Sequence, residues 1–276
     1  MSDTPERIEF NLLLEGIFQR YGYDFRDYAP ETLIRRLQQF QREHKNVSFS
    51  EIIARVLRDP SFFYELLPYF SISYTMLFRE PSVFMALREN VIPLLRSWPR
   101  FKIWHAGCAT GEEVYSLAIL LREMNLLDRA MIYATDISQP ALETAKQGIY
   151  SLDVLRKGNA NYLASGCSGS LSDHYHARYN ACIMDPELRK CITFARHNLA
   201  IDQSFGDMQL ILCRNVLMYF NHALQERVLQ LFASSLERGG YLCIGSRESL
   251  TCLNTGSEFE YVHEESRIFR KCVSAP

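Results

Sequence analysis

The feature that most limits the fold is an alternation of short apolar runs with helical stretches, which begins after Pro99. FKIWHAG and AMIYATDI are strand-like runs, and EVYSLAILLREM between them has its apolar residues at helical spacing. Strands that alternate with helices form parallel βαβ units with right-handed crossovers. The sequence therefore predicts an α/β fold with a parallel sheet over residues 101–276.

The end of the chain breaks this alternation. EFEYVHEE and SRIFRKC are two consecutive strand-like runs, which predict an antiparallel hairpin at the edge of the sheet. A parallel sheet closed by such a hairpin resembles the Rossmann-like methyltransferase fold. Residues 150–190 are polar and rich in turn-forming residues, so we interpret them as an insertion or subdomain.

The first eighty residues have a different pattern. Apolar side chains recur there at helical spacing, as in Phe10, Leu13, Leu14 and Ile17, and strand-like runs are nearly absent. We therefore predict a small all-helical N-terminal domain over 1–80. The segment PSVFMALRENVIPLLRSW predicts a linker helix within 81–100, before the sheet begins.

Composition excludes several classes of protein. The 276 residues include 47% hydrophobic and 22% charged side chains, with a formal net charge of −2. This charge gives no general attraction to nucleic acid or to an anionic membrane. The first residues lack the pattern of a signal peptide, and no apolar run reaches the ~18 residues that span a bilayer. We expect a cytoplasmic protein with no nucleic-acid partner and no membrane insertion.

The cysteines and histidines do not suggest a metal site. The eight cysteines include no C-x-x-C pair, and several lie in apolar runs, where we expect buried reduced thiols. His174 and His176 are close in sequence but lack further partners at ligand spacing, so we expect no metal.

A glycine loop follows the first predicted strand. Gly107 and Gly111 lie where this strand ends and a helix begins, which is typical of a nucleotide-binding turn. Asp136 follows the second strand, where an acidic residue takes the hydroxyls of a ribose. This spacing fits both NAD and S-adenosylmethionine (SAM).

The charge of the loop favours SAM over NAD. Glu112 and Glu113 follow Gly111 directly, and they would repel the pyrophosphate of a dinucleotide. SAM has no phosphate and carries a sulfonium and an ammonium group, which a carboxylate attracts. One or both glutamates could instead complement the positive end of the following helix.

Five segments occur in an order typical of one family: SYTMLFRE, GCATGEEVYSLAI, YATDIS, FARHNL and ILCRNVLMYF. They resemble the CheR-type chemotaxis receptor methyltransferases, and the likeness extends to GYDF and TLIRRL near the N-terminus. The resemblance implies a Rossmann-like SAM-dependent methyltransferase domain with a small helical N-terminal domain and a small inserted β-subdomain. It also implies transfer of a methyl group from SAM to glutamate side chains in the cytoplasmic helices of a methyl-accepting receptor, with S-adenosylhomocysteine (SAH) as product.

The same resemblance implies positions for the site. The cofactor-binding positions are Ser73, Thr75, Arg79, Glu113, Asp136, Asn198, Leu199, Arg214 and Asn215. Asp136 is expected to accept from the ribose, Glu113 to favour the cationic methionine end, and Asn198 to meet the adenine edge. Arg79 and Tyr219 are the expected residues of the chemical step. Thr75 could instead cap a helix, and Tyr219 could simply pack in the core.

The helical domain has a basic segment that could dock the receptor. Arg35, Arg36 and Arg42 lie on one predicted helix, and receptor methylation helices are acidic. An ordinary solvated helix face would also explain these arginines. The 160–182 stretch is longer and more polar than is usual in the family. It lies near the subdomain that binds a tethering peptide of the receptor tail in some members, so the resemblance does not carry that contact over to this chain.

Two other functions remain open at this point. One is a SAM-dependent methyltransferase acting on another substrate, although CRNVLMYF lacks the prolines found after the fourth strand in many enzymes that methylate amino groups. The other is a non-catalytic SAM-binding module in a signalling complex.

Overall fold

The computed structural model describes residues 4–45, 47–70, 75–250 and 253–272. Ser73, a predicted cofactor-binding residue, lies outside the described residues. The helices are α1 (Pro5–Tyr21), α2 (Pro30–Glu43), α3 (Phe49–Arg58), α4 (Pro60–Phe70), α5 (Pro81–Asn90), α6 (Ile92–Leu95), α7 (Glu112–Glu123), α8 (Gln139–Gln147), α9 (Leu152–Ala164), α10 (Pro186–Arg189) and α11 (His222–Ser235).

Local signals in the sequence explain where the N-terminal helices begin and end. Proline occupies the first turn of α1 and α2, where a missing N–H costs no hydrogen bond. Gly22 ends α1 in the left-handed conformation. Ser48 and Glu51 form a capping box at the start of α3. The buried faces of α1 to α4 pack into one apolar core of their own.

The strands are β1 (Phe101–Ala106), β2 (Ala130–Asp136), β3 (Ile149–Ser151), β4 (Tyr175–Arg178), β5 (Ala181–Met184), β6 (Ile192–Arg196), β7 (Met208–Cys213), β8 (Leu236–Ile244), β9 (Phe259–His263) and β10 (Ile268–Lys271). Seven of them form one sheet in the order β6-β2-β1-β7-β8-β10-β9. β10 pairs antiparallel with both β8 and β9, whereas the pairings among β6, β2, β1, β7 and β8 are parallel. The predicted α/β fold with a closing hairpin is confirmed.

A small second sheet is inserted between α8 and β6. β3, β5 and β4 pair antiparallel in the order β3-β5-β4. This sheet is the inserted β-subdomain that the resemblance implied. Its strands are only three or four residues long, and β5 lies between the other two.

The main sheet is covered on both faces, as its apolar strands require. Ile103 and Leu210 pack with α7 on one face, and Trp104 and Ile211 pack with α11 on the other. Burying each such side chain contributes about 1.5–3 kcal/mol. Cys213 and Cys243 are buried in the same sheet, as expected. Among the described residues, no helix combines the length and the apolar character that crossing a bilayer requires.

The helical domain joins the loop that follows β7. The N–H of Ala29 donates to the carbonyl of Tyr219 at 2.8 Å, and the N–H of Asn221 donates to the carbonyl of Asp27 at 2.8 Å. Between these two bonds, the ring of Tyr28 packs against Phe220 with centroids 4.9 Å apart. The helical domain therefore contacts the sheet at the edge where its parallel strands end.

Candidate active site

A cavity lies at the carboxyl ends of β1, β2 and β7. This edge is where open α/β sheets bind ligands. Most of the wall comes from the sheet and its loops, and Tyr28 and Phe70 of the helical domain complete it.

The glycine loop after β1 brings the backbone close to this cavity. Gly107 has φ 75°, and a Cβ there would lie 2.5 Å from Cγ2 of Val216. Gly111 has φ 92°, and a Cβ there would lie 2.7 Å from the Cβ of Ala145. Both conformations favour glycine. A side chain at Gly107 would displace Val216 of the cavity wall, whereas one at Gly111 would displace Ala145 of α8.

Glu113 is buried under the cavity and is paired on two sides. Its Oε2 accepts from Nη1 of Arg214 at 2.7 Å, and its Oε1 lies 3.3 Å from Nε2 of His105. Burial raises the pKa of the Glu113 carboxyl, but Arg214 and His105 outweigh burial and hold the pKa below its ordinary value. Glu113 is therefore ionised at neutral pH.

A chain of charges continues from Arg214 to the residues upstream of the sheet. Nη2 of Arg214 lies 3.0 Å from Oε2 of Glu80, and Nε of Arg79 lies 4.0 Å from Oε1 of the same glutamate. Glu80 thus links Arg79 to Arg214, which in turn pairs with Glu113. The sequence reasoning did not single out Glu80. Because opposite charges alternate, the cavity does not carry the strong negative potential expected from Glu112 and Glu113 alone.

Asp136 is held in place by backbone amides at the end of β2. Its Oδ2 accepts from the N–H of Ala109 at 2.8 Å, and its Oδ1 accepts from the N–H of Ser138 at 2.8 Å. Burial raises the pKa of this carboxyl, although the backbone hydrogen bonds oppose the shift. The carboxylate therefore faces the cavity in a fixed orientation, as an acceptor for hydroxyl groups.

Several buried polar atoms at this edge have no partner among the described residues. Oδ1 of Asn198 accepts from the N–H of Ala200 at 3.0 Å, while its Nδ2 has none. Oδ1 of Asn215 is also without a partner. An unsatisfied buried polar group costs about 1–3 kcal/mol. Both residues line the cavity, so a ligand with complementary donors and acceptors would satisfy them.

The structure brings together most of the predicted site. The cavity-lining residues among the predicted ones are Thr75, Arg79, Glu113, Asp136, Asn198, Leu199, Arg214, Asn215 and Tyr219. Thr75 precedes no helix, so the alternative role as a cap does not apply. Glu112 does not line the cavity, and it is buried with a hydrogen bond from the hydroxyl of Thr110 at 2.6 Å.

The three arginines of α2 do not share one environment. Arg35 and Arg42 are exposed, whereas Arg36 is half-buried and its Nε has no hydrogen-bond partner among the described residues. The charge of Arg36 acts on the hydroxyl of Tyr219. Arg36 therefore lies beside the cavity, not on the open surface that the sequence pattern suggested.

Sequence reasoning missed several residues of the wall. His105 could have been found, because it lies at the end of β1, where ligand-binding residues cluster. Tyr28 and Phe70 had no such signal, because their contact with the cavity depends on how the helical domain packs. The remaining missed wall residues are Ala109, Ile137, His197, Val216 and Phe220.

Comparison with known proteins identifies the family of this chain. The family described as CheR methyltransferase, SAM binding domain, matches residues 73–267, and the CheR methyltransferase all-alpha domain matches residues 8–71. A putative methyltransferase, Cher3, from Pseudomonas putida is 47% identical over 97% of this chain and 99% of its own length. A chemotaxis protein methyltransferase from Listeria innocua is 32% identical over 83% of this chain and 85% of its own length.

A more distant likeness is found among solved structures. The N-methyltransferase NodS from Bradyrhizobium japonicum, crystallised with SAH, aligns with a TM-score of 0.41 and 14% identity over 71% of this chain and 88% of that chain.

The fold, the site and the matched domains define a SAM-dependent methyltransferase. More particularly, the chain belongs to the CheR family of chemotaxis methyltransferases. Its cofactor is SAM, and the residues present fit this molecule. Asp136 would hold the ribose, Nδ2 of Asn198 would meet an acceptor of the adenine, and Glu113 would face the cationic end.

Proposed function

We propose that this chain transfers the methyl group of SAM to glutamate side-chain carboxylates in the cytoplasmic helices of a chemotaxis-type receptor. The observation that carries the proposal is the positive charge beside Tyr219. Burial raises the pKa of the Tyr219 phenol; the charges of Arg36 and Arg79 oppose this shift, and the charge of Glu248 adds to it. Arg79 lines the same cavity as Tyr219, so this wall carries a positive charge that would attract an anionic side chain.

The chemistry requires little from the protein beyond position and charge. A glutamate has a reference pKa of about 4.3, so the nucleophile is already ionised at neutral pH and needs no general base. SAM supplies an activated methyl group when bound. Aligning the carboxylate with that methyl group can contribute about 7–11 kcal/mol in favourable cases.

Arg79 and Tyr219 are the residues we assign to this alignment. Arg79 borders the cavity and is held beside Glu80, so its guanidinium can steer a carboxylate. The hydroxyl of Tyr219 can orient the incoming side chain. Apolar rings of Tyr28, Phe70 and Phe220 line the same cavity and exclude water from it.

The helical domain over 1–80 is proposed to dock the receptor. Arg35 and Arg42 are exposed and lie two turns apart on α2, hence on one face of that helix. Such charges mainly increase the association rate with an acidic helix, and salt screens them. Arg36 would then receive the target side chain at the entrance of the cavity. On this proposal the chain acts in the cytoplasm.

Incubation with methyl-labelled SAM tests the substrate class. The purified protein is given a receptor cytoplasmic fragment with glutamates at its methylation sites, and a matched fragment with glutamine at each of them is the control. We expect label in the glutamate fragment only, and release of that label as methanol in mild base. Label that resists base would indicate methylation of nitrogen, and no transfer together with tight SAM binding would indicate a non-catalytic module.

A further inference from the structure

A second buried carboxylate lies behind the cavity wall. Glu248 follows β8 and is 5% exposed. Its Oε2 accepts from the N–H of Gly245 at 2.6 Å and from the N–H of Asn215 at 3.1 Å, and its Oε1 accepts from the N–H of Met218 at 3.1 Å. The two oxygens of one side chain therefore satisfy three backbone donors from two separate loops.

The backbone at this point is shaped around the carboxylate. A Cβ at Gly245 would lie 2.8 Å from Oε2 of Glu248 and 2.8 Å from the N of Asn215. Asn215 itself has φ 59°, in the left-handed region that is rare for residues other than glycine. This strained conformation is maintained by the surrounding contacts, among which the bond from its N–H to Glu248 is direct.

The segment that Glu248 holds carries a large part of the active site. Arg214, Asn215, Val216 and Tyr219 all line the cavity, whereas Glu248 does not. The bonds to the N–H groups of Asn215 and Met218 lie within this segment, and the bond to Gly245 ties it to the end of β8. Glu248 thus acts on the site through the backbone of residues 214–219, and its charge also acts on the Tyr219 phenol.

We propose that Glu248 is a positioning residue, which holds residues 214–219 in the conformation that binds SAM and aligns the methyl acceptor. The part that concerns the acceptor rests on the proposed function, and the part that concerns SAM does not. A carboxylate is needed because each of its oxygens must accept.

The substitution Glu248→Gln keeps the shape and replaces one acceptor by an NH₂ group that faces an N–H donor. We expect faster amide hydrogen exchange in peptides covering 214–219 and 245, and about tenfold weaker SAH binding by calorimetry. Turnover at saturating SAM is expected to fall further, because Tyr219 is displaced as well.

Glu226 provides a matched control. Its carboxylate also binds backbone donors, the N–H of Asn254 at 2.8 Å and the N–H of Thr255 at 3.0 Å, but it does not line the cavity. Glu226→Gln should speed amide exchange near 254–255 and leave SAH affinity and turnover at the wild-type level. It therefore separates a positioning effect from a general loss of stability.

The proposal is overturned if Glu248→Gln binds SAH as tightly as wild type with unchanged exchange over 214–219, or if Glu226→Gln weakens SAH binding equally. If wild type transfers no methyl group to receptor fragments, the proposed substrate class fails. SAH affinity and amide exchange still decide the role of Glu248 in that case.

Discussion

The molecule buries charge in two regions that differ in one instructive way. The cavity cluster consists of His105, Glu113, Arg214 and Glu80. The subdomain cluster lies between α5, α7 and α9 and centres on Glu123, which contacts Arg88 at 3.2 Å and His174 at 3.8 Å and accepts from the hydroxyl of Tyr162. Both clusters include a glutamate of α7, Glu113 in one and Glu123 in the other.

The clusters differ in whether their unsatisfied polar atoms border the cavity. Around the cavity cluster, Nε of Arg214, Nδ2 of Asn198 and Oδ1 of Asn215 are buried without partners among the described residues, and all three residues line the cavity. In the subdomain cluster both oxygens of Glu123 are used, and Nδ1 of His174 is buried without a described partner, but none of these residues lines the cavity. A buried polar cluster thus indicates a binding site only when its unsatisfied hydrogen-bond donors and acceptors border a space that a ligand can enter.

The largest expected effect is on the free energy of unfolding, and it differs between variants of the two clusters. Arg214→Met leaves Glu113 buried without its main partner and should lower the free energy of unfolding by about 3–5 kcal/mol. Arg88→Met should cost only about 1 kcal/mol, because Arg88 and Glu123 are 26% and 12% exposed. Urea unfolding of both variants without cofactor measures the difference, and equal losses would show that the clusters are equivalent.

The next largest effect is on turnover, in variants of two residues that line the cavity. We expect Arg79→Ala to reduce methyl transfer about 100-fold and Tyr219→Phe about tenfold, since alignment of the acceptor is lost. SAH affinity should change less than turnover in both variants, as measured by calorimetry. Wild-type turnover in both would remove the roles assigned to these residues.

A smaller effect is expected on cofactor affinity and its pH dependence. Asp136→Asn should weaken SAH binding about 30-fold at neutral pH, because an amide cannot accept on both sides. In wild type, burial raises the pKa of Asp136 above its ordinary value. Affinity should therefore fall as the pH drops through this raised pKa, whereas the variant should respond less. Calorimetry from pH 5 to pH 8 tests this, and an unchanged wild-type affinity would contradict it.

The smallest effect on the cofactor site is expected in the subdomain cluster. Tyr162→Phe removes the hydroxyl that donates to Glu123 and should cost about 1.5 kcal/mol of unfolding free energy. SAH affinity should stay at the wild-type value, because Tyr162 does not line the cavity. A loss of SAH affinity here would mean that the inserted sheet and the cofactor site are coupled.

Much of the site was predictable because its residues follow strands. Glu113 and Asp136 come just after β1 and at the end of β2, and the carboxyl ends of parallel strands meet at one edge. The wall residues Tyr28 and Phe70 could not be predicted in this way. They lie in the helical domain, and no local periodicity tells which of its residues faces a loop more than a hundred positions away. The burial of Arg36 could not be predicted for the same reason. Arg35 and Arg36 lie on the same helix, but only Arg35 is exposed.

The sequence by itself determined the order of helices and strands, the closing hairpin and the positions of the glycine loop and its acidic residues. These follow from short-range periodicity and turn chemistry, which act within a few residues. Only the tertiary structure decided that Glu113 is paired with Arg214, that Glu112 is not in the wall, and that Glu248 supports the loop beside them. The environment of a charge depends on which distant segments pack around it, and that is settled by the fold as a whole.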